Sequence, residues 1–169
     1  KGNLPVNTLQ PRPDNTAIKL VVVHGISLPP REYGGGHIQH FFCNRLDPDL
    51  HPYFETIHEM RVSAHALIER SGNLIQFVSF KDRAWHAGQS EWCGESACND
   101  FSVGIELEGC DDEAYTPQQY ESLSRLIRAL RRNFVCIGEE SLVGHSDIAP
   151  GRKTDPGPAF DWGYLRSLM

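Results

Sequence analysis

Residues 17–27, AIKLVVVHGIS, leave this chain few folds to choose from. Their apolar side chains run almost without a break, whereas a strand with one wet face alternates apolar and polar residues. A strand covered on both faces belongs inside a sheet flanked by helices. RVSAHALIER and LIQFVSF, separated by SGN, predict a hairpin turning at Gly72 and Asn73. FSVGIELEG alternates, with Val103, Ile105 and Leu107 on one face and Gly104, Glu106 and Glu108 on the other. SLVGH predicts a further short strand, HIQHFFCN a short helix and FDWGYLRSLM a closing helix.

A long helix is expected from Thr116 onward. Thr116 is its N-cap, Pro117 takes the first helical position and Gln119 completes a capping box. Tyr120, Leu123, Ile127, Leu130 and Phe134 supply the apolar stripe, a packing face rather than a cofactor site. The expected fold class is therefore α/β: a single domain with a mixed central β-sheet of about five strands flanked by helices. Residues 1–17, polar and Pro-rich, read as an extended lead-in, and residues 18–169 as the folded domain.

The 169 residues carry 16 Lys and Arg against 22 Asp and Glu, a net charge of −6. That balance argues against nucleic acid or an acidic membrane surface as a partner. The one basic run, RLIRALRR, predicts a solvated helix face. No apolar run approaches the roughly 18 residues of a membrane span. No stretch near the start resembles a signal peptide, but the chain begins at Lys1 rather than Met, which leaves an export signal open. Cys43, Cys93, Cys98, Cys110 and Cys136 are odd in number and scattered, which favours free thiols in a reducing compartment over a Cys93–Cys98 bridge.

Two histidines, His24 and His145, end predicted strands and precede loops, so one pocket can receive both. A histidine at the end of an apolar strand is, taken alone, more often a structural residue than a ligand. A catalytic metal needs a third protein ligand and an open position. GHSDIAPGRKTDPGP, with three prolines and three glycines, reads as irregular backbone and offers Asp147 and Asp155. Asp147 stands two residues from His145 and suits a turn or a supporting role. Asp155 follows a loop long enough to return it beside His145. Lys153 can steady a developing oxyanion or be a surface lysine. Glu106 can act as a proton acceptor on its strand's polar face, while Glu108 on the same face fits a solvated carboxylate. The sequence lacks G-x-S-x-G, H-E-x-x-H, G-x-x-x-x-G-K-[ST] and G-x-G-x-x-G, which removes the corresponding hydrolase and nucleotide-binding readings.

VVVHGISLPP, DPDLHPYFETI, RVSAHALIERSGNLIQFV, RAWHAG, CNDFSVGIELEG and GHSDIAPGRKTDPGPAFDW together resemble the AmpD family. These are 1,6-anhydro-N-acetylmuramyl-L-alanine amidases, within the zinc amidase group that includes T7-type lysozyme and peptidoglycan recognition proteins. The resemblance spans residues 18–165. It implies Zn2+ as cofactor, His24, His145 and Asp155 as its ligands, and Glu106 and Lys153 as catalytic residues. It also implies Arg61, Trp85 and His86 as lining for a muropeptide. The wider group often has a tyrosine where this chain has Ala64, which accords with Glu106 as the base. Gly25 and Ala97 depart from the Asn and Arg common in the family and take away polar groups that could hold substrate.

The implied activity is hydrolysis of the amide between the lactyl group of N-acetylmuramic acid and L-alanine in cell-wall recycling. A monomeric cytoplasmic enzyme, and an effect on β-lactamase induction, follow from the same resemblance. A secreted or periplasmic amidase acting on intact wall shares this chemistry. A peptidoglycan-binding module without activity shares the fold, but it should lack the complete set of five site residues.

Overall fold

The computed structural model describes residues 10–169. The apolar run forms β1 (Leu20–Ile26), buried from Leu20 through His24. Seven strands follow one another along the described residues: β1, β2 (Ala66–Ile68), β3 (Leu74–Gln76), β4 (Glu91–Trp92), β5 (Glu95–Ser96), β6 (Ser102–Glu108) and β7 (Leu142–Gly144). Five make the main sheet in the order β3-β2-β6-β1-β7. β1 is parallel to β6 and β7, β2 is parallel to β6, and β2 and β3 form the expected antiparallel hairpin. The sheet is thus mixed, five-stranded and flanked by helices, as the sequence predicts.

β1 and β6 are interior strands, and this explains why all seven residues of β6 are buried although its sequence alternates. Val21, Val23, Val103, Ile105 and Leu107 pack into one core. Leu20 and Val22 turn the other way, toward Ala87, Phe101 and Ile148. Polar residues on the second face of β6 are therefore covered by other parts of the chain rather than by water.

The first core is closed by α3 (Pro117–Asn133) and α5 (Trp162–Ser167). The Thr116 hydroxyl accepts from the Gln119 amide at 3.2 Å, and the Gln119 side chain returns to the Thr116 N–H at 3.0 Å. Leu123 and Ile127 are fully buried, each contributing about 2 kcal/mol through removal from water. Arg125, Arg128 and Arg132 lie on the exposed side of α3, the solvated face expected. The opposite side of the sheet carries α1 (His37–Phe42), α2 (Pro52–Glu55) and α4 (His145–Ile148). α4 differs from the irregular backbone expected of that loop. Asp147 reaches back to accept from the Gly144 N–H at 2.6 Å, and this cap stabilises one helical turn. The β4–β5 pair was not anticipated either. Its turn has positive φ at Cys93 and Gly94, and a cysteine is not among the residues that announce such a turn.

Part of the lead-in is integral to the fold. Gln10 and Arg83 exchange backbone hydrogen bonds at 3.2 and 2.7 Å. The Arg12 guanidinium donates to the carbonyls of Phe80, Asn99, Asp100 and Ser102 at 2.8–3.2 Å. The rest of the lead-in, residues 1–9, lies outside the described residues.

His65 sits beside Arg12, completely enclosed. Its Nδ1 accepts from the Gly104 N–H at 2.9 Å, and its Nε2 is 3.0 Å from the Asp82 carbonyl oxygen. Burial, aided by the Arg12 charge, lowers its pKa to about 3 against the pull of the Asp82 carbonyl. The folded state therefore refuses a proton that the unfolded chain accepts near pH 6.5. Stability is complete above that pH and falls as the pH drops toward 3. Between about pH 7 and pH 5 this one histidine removes about 2 kcal/mol. Replacing His65 with Gln should flatten the pH dependence of urea unfolding by that amount; an unchanged profile would show that His65 titrates normally.

Candidate metal centre and its cleft

The carboxyl ends of β1, β6 and β7 carry the reactive groups, the usual position for a ligand site on parallel strands. His24 and Glu106 are register partners on adjacent strands. Val23 lies opposite Gly144, so the next residue, His145, stands beside His24 as the first residue of α4. Asp155 comes back to them through the loop that follows α4. Its carbonyl accepts from the Ser146 N–H at 3.0 Å, and the Tyr115 hydroxyl holds the Pro156 carbonyl at 2.9 Å. Gly25 makes this clamp possible: a Cβ there would lie 2.4 Å from the Tyr115 hydroxyl oxygen.

Three donor atoms meet in a small triangle. His24 Nδ1 and His145 Nδ1 are 3.0 Å apart, and Asp155 Oδ2 is 3.2 Å from the first and 3.1 Å from the second. Tetrahedral coordination at about 2.0–2.1 Å puts donor atoms about 3.3 Å from one another. The triangle thus fits one divalent ion, with its open side toward the cleft. Glu106 Oε1 stands 3.9 Å from His24 Nδ1, next to the triangle but outside it.

Burial lowers the His24 pKa to about 4, despite the hydrogen bond to Asp155, so the imidazole is neutral and able to ligate. For Asp155, burial pushes the carboxyl up. The contacts to His145 and His24 outweigh burial and hold it well below the usual carboxylate range. Glu106 is 7 % exposed. Burial first, and then the Asp155 charge, raise its pKa well above the ordinary value, while Lys153 pulls it back. Two neighbouring carboxyl groups are thereby set apart, one as a fixed anion and one as a proton acceptor.

A cleft of about 360 Å3 opens over these groups. Lys153 lies in its lining, as do Trp85 and His86. Trp85 is half-buried, and its indole N–H donates to Gln10 Oε1 at 3.3 Å. His86 is only 9 % exposed and lies behind His24 rather than at the cleft mouth, its Nδ1 2.9 Å from His24 Nε2. Arg61 is not part of the lining; its Nη1 turns back to the carbonyls of His58, Glu59 and Met60. Glu108 is not a solvated carboxylate. It is buried and accepts from the Gly34 and Arg70 N–H groups at 2.6 and 3.0 Å, tying two loops to the end of β6.

The sequence reading missed the apolar wall of the cleft, formed by Phe41, Phe42, Tyr53 and Ile57. The pattern of α1 marks Phe41 and Phe42 as apolar but not which of their edges stays open to a ligand. Asn99 was also missed as a separate element; its Oδ1 accepts from the N–H groups of His86 and Ala87 at 3.1 and 2.8 Å.

Residues 14–158 match the Amidase_2 family, N-acetylmuramoyl-L-alanine amidase. The chain is 53% identical over 158 residues to the Escherichia coli K12 1,6-anhydro-N-acetylmuramyl-L-alanine amidase AmpD, covering 94% of this chain and 86% of that protein. The crystal structure of a selenomethionine AmpD derivative superposes with a TM-score of 0.95 at 50% identity, covering 99% of this chain and 93% of that one. The E. coli amidase AmiD, in complex with anhydro-N-acetylmuramic acid-L-Ala-D-gamma-Glu-L-Lys, matches at a TM-score of 0.68 and 27% identity, covering 94% and 61% of the two chains.

Proposed function

Because this chain belongs to the N-acetylmuramoyl-L-alanine amidase family and is an enzyme of that class, we propose that it acts on soluble 1,6-anhydro-muropeptides with zinc as its metal. The bond cut is the amide between the lactyl group of the anhydro sugar and L-alanine. The observation that carries this reading is the triangle of His24, His145 and Asp155 with the desolvated Glu106 at its side. The cleft volume, about 360 Å3, suits a small released fragment. Together with the likeness to the 1,6-anhydro-N-acetylmuramyl-L-alanine amidase AmpD, this favours recycling of released fragments over attack on intact wall. Among the described residues no helix is long and apolar enough to cross a membrane.

His24, His145 and Asp155 would hold the ion. When bound, zinc supplies Lewis-acid polarisation of the amide carbonyl and makes water more acidic. Glu106 takes the proton of the attacking water; its raised pKa suits a group that accepts a proton near neutral pH. The same carboxyl then gives that proton to the alanine nitrogen as the C–N bond breaks. The Lys153 ammonium at the cleft steadies the negative charge on the carbonyl oxygen. The ring of Trp85 offers a face to the sugar or the peptide stem.

Incubation with anhydro-muropeptide should release the stem peptide, and a chelator should stop the release until zinc is restored. Intact sacculi should release little. Comparable cleavage of sacculi would favour a wall-directed amidase, and chelator-resistant turnover would remove zinc from the reaction.

A further inference from the structure

The two imidazoles of the metal triangle are supported from behind by two consecutive residues. His24 presents Nδ1 to the triangle, and its Nε2 lies 2.9 Å from His86 Nδ1. His145 also presents Nδ1, and its Nε2 lies 3.2 Å from the Ala87 carbonyl oxygen. A carbonyl can only accept, so His145 carries a proton on Nε2, and the tautomer that ligates a metal through Nδ1 is the one this contact favours. His24 as a metal ligand needs the same arrangement: proton on Nε2, lone pair on Nδ1. His86 Nδ1 is the acceptor within reach of that proton. The other nitrogen of His86 is 3.1 Å from Ser102 Oγ, a group that can accept from it in turn.

This support is built into the fold. Asn99 Oδ1 accepts from both His86 N–H and Ala87 N–H, fixing the pair as a unit. The Arg152 guanidinium donates to the Ala87 carbonyl at 2.6 Å and to the Gln89 carbonyl at 2.7 Å. The imidazole of His86 occupies the space left by Gly104: a Cβ on that glycine would lie 2.2 Å from the ring. The ring therefore packs against the sheet with both of its nitrogens already engaged, one by His24 and the other by Ser102.

We propose that His86 is a positioning residue, which through Ser102 on one side and His24 on the other holds the His24 Nδ1 lone pair on the metal, while its neighbour's carbonyl does the same for His145. The inference rests on the zinc reading above and gives His86 a role other than contact with substrate. Partners behind a metal-bound histidine orient its ring and fix its tautomer, and their loss typically weakens binding about 10–100-fold.

The test is competition for zinc between the protein and a chromophoric chelator at fixed pH. Wild type should take one zinc. His86→Phe keeps a ring of similar size but offers no acceptor, and should bind zinc about 10–100-fold more weakly. His86→Gln supplies one acceptor and one donor and should recover most of the affinity. Zinc affinity equal to wild type in His86→Phe would overturn the proposal. Imidazole 15N spectra of zinc-loaded wild type provide a check that needs no variant. They should show His24 and His145 protonated at Nε2 and ligating through Nδ1, with the His24 Nε2 proton hydrogen-bonded. A His24 proton on Nδ1, or an Nε2 proton exposed to solvent, would equally overturn it. A wild type that binds no zinc would instead defeat the zinc reading itself.

Discussion

Replacing Glu106 with Gln should lower turnover about a thousandfold while leaving metal binding intact, the scale expected when a positioned acid–base group is lost. The side chain keeps its length and its place on β6, beside His24 across the strand pair. Only its ability to accept a proton disappears. Glu106 Oε1 is 3.9 Å from His24 Nδ1 and is not one of the three triangle atoms, so metal stoichiometry should remain unchanged. A second readout follows from burial. An acid whose folded-state pKa is raised costs stability once the pH passes its unfolded value, because the folded chain must then hold a desolvated anion or keep a proton that the unfolded chain releases. Metal-free Glu106→Gln should thus melt at a higher temperature than metal-free wild type at neutral pH. Turnover within a fewfold of wild type would take Glu106 out of the mechanism.

Removing Asp155 should have an effect of the same size by another route. The triangle loses its only carboxylate, and two imidazoles remain where two imidazoles and one anion stood. Asp155→Ala should weaken zinc binding by more than the roughly hundredfold that marks the loss of a supporting partner. Activity should fall with metal content, and excess zinc should restore part of it. Full metal occupancy at wild-type affinity would assign the third ligand elsewhere. The two variants differ in a diagnostic way: one holds metal without turning over, and the other regains turnover as metal is forced in.

The sequence made the core elements readable because their signals are local. A continuous β-branched run identified β1 as an interior strand, and the Thr116–Gln119 box identified the start of α3. The residues named for the metal were traceable because each stands near the carboxyl end of a strand or after a constrained loop, and in space they do meet. What surrounds them was harder to read. His86 and Asn99 act through contacts between residues 13 and 62 positions apart, for which no periodicity exists. Glu108 looked like a solvent-facing carboxylate because alternation reports which face a residue shares, not what covers that face. It caps two loop amides, and only the fold brings those loops to it. Arg61 carried no signal of its own direction, and its guanidinium stays with its own loop.

The anchoring of Arg12 has a practical consequence. The family match begins at residue 14, two positions beyond the guanidinium that gathers the carbonyls of Asn99, Asp100 and Ser102. A fragment cut at that boundary would retain every group that touches the reaction. It would nevertheless release the scaffolding under Asn99 and Ser102, the two residues that hold His86, so the trimmed chain should grip its metal less firmly.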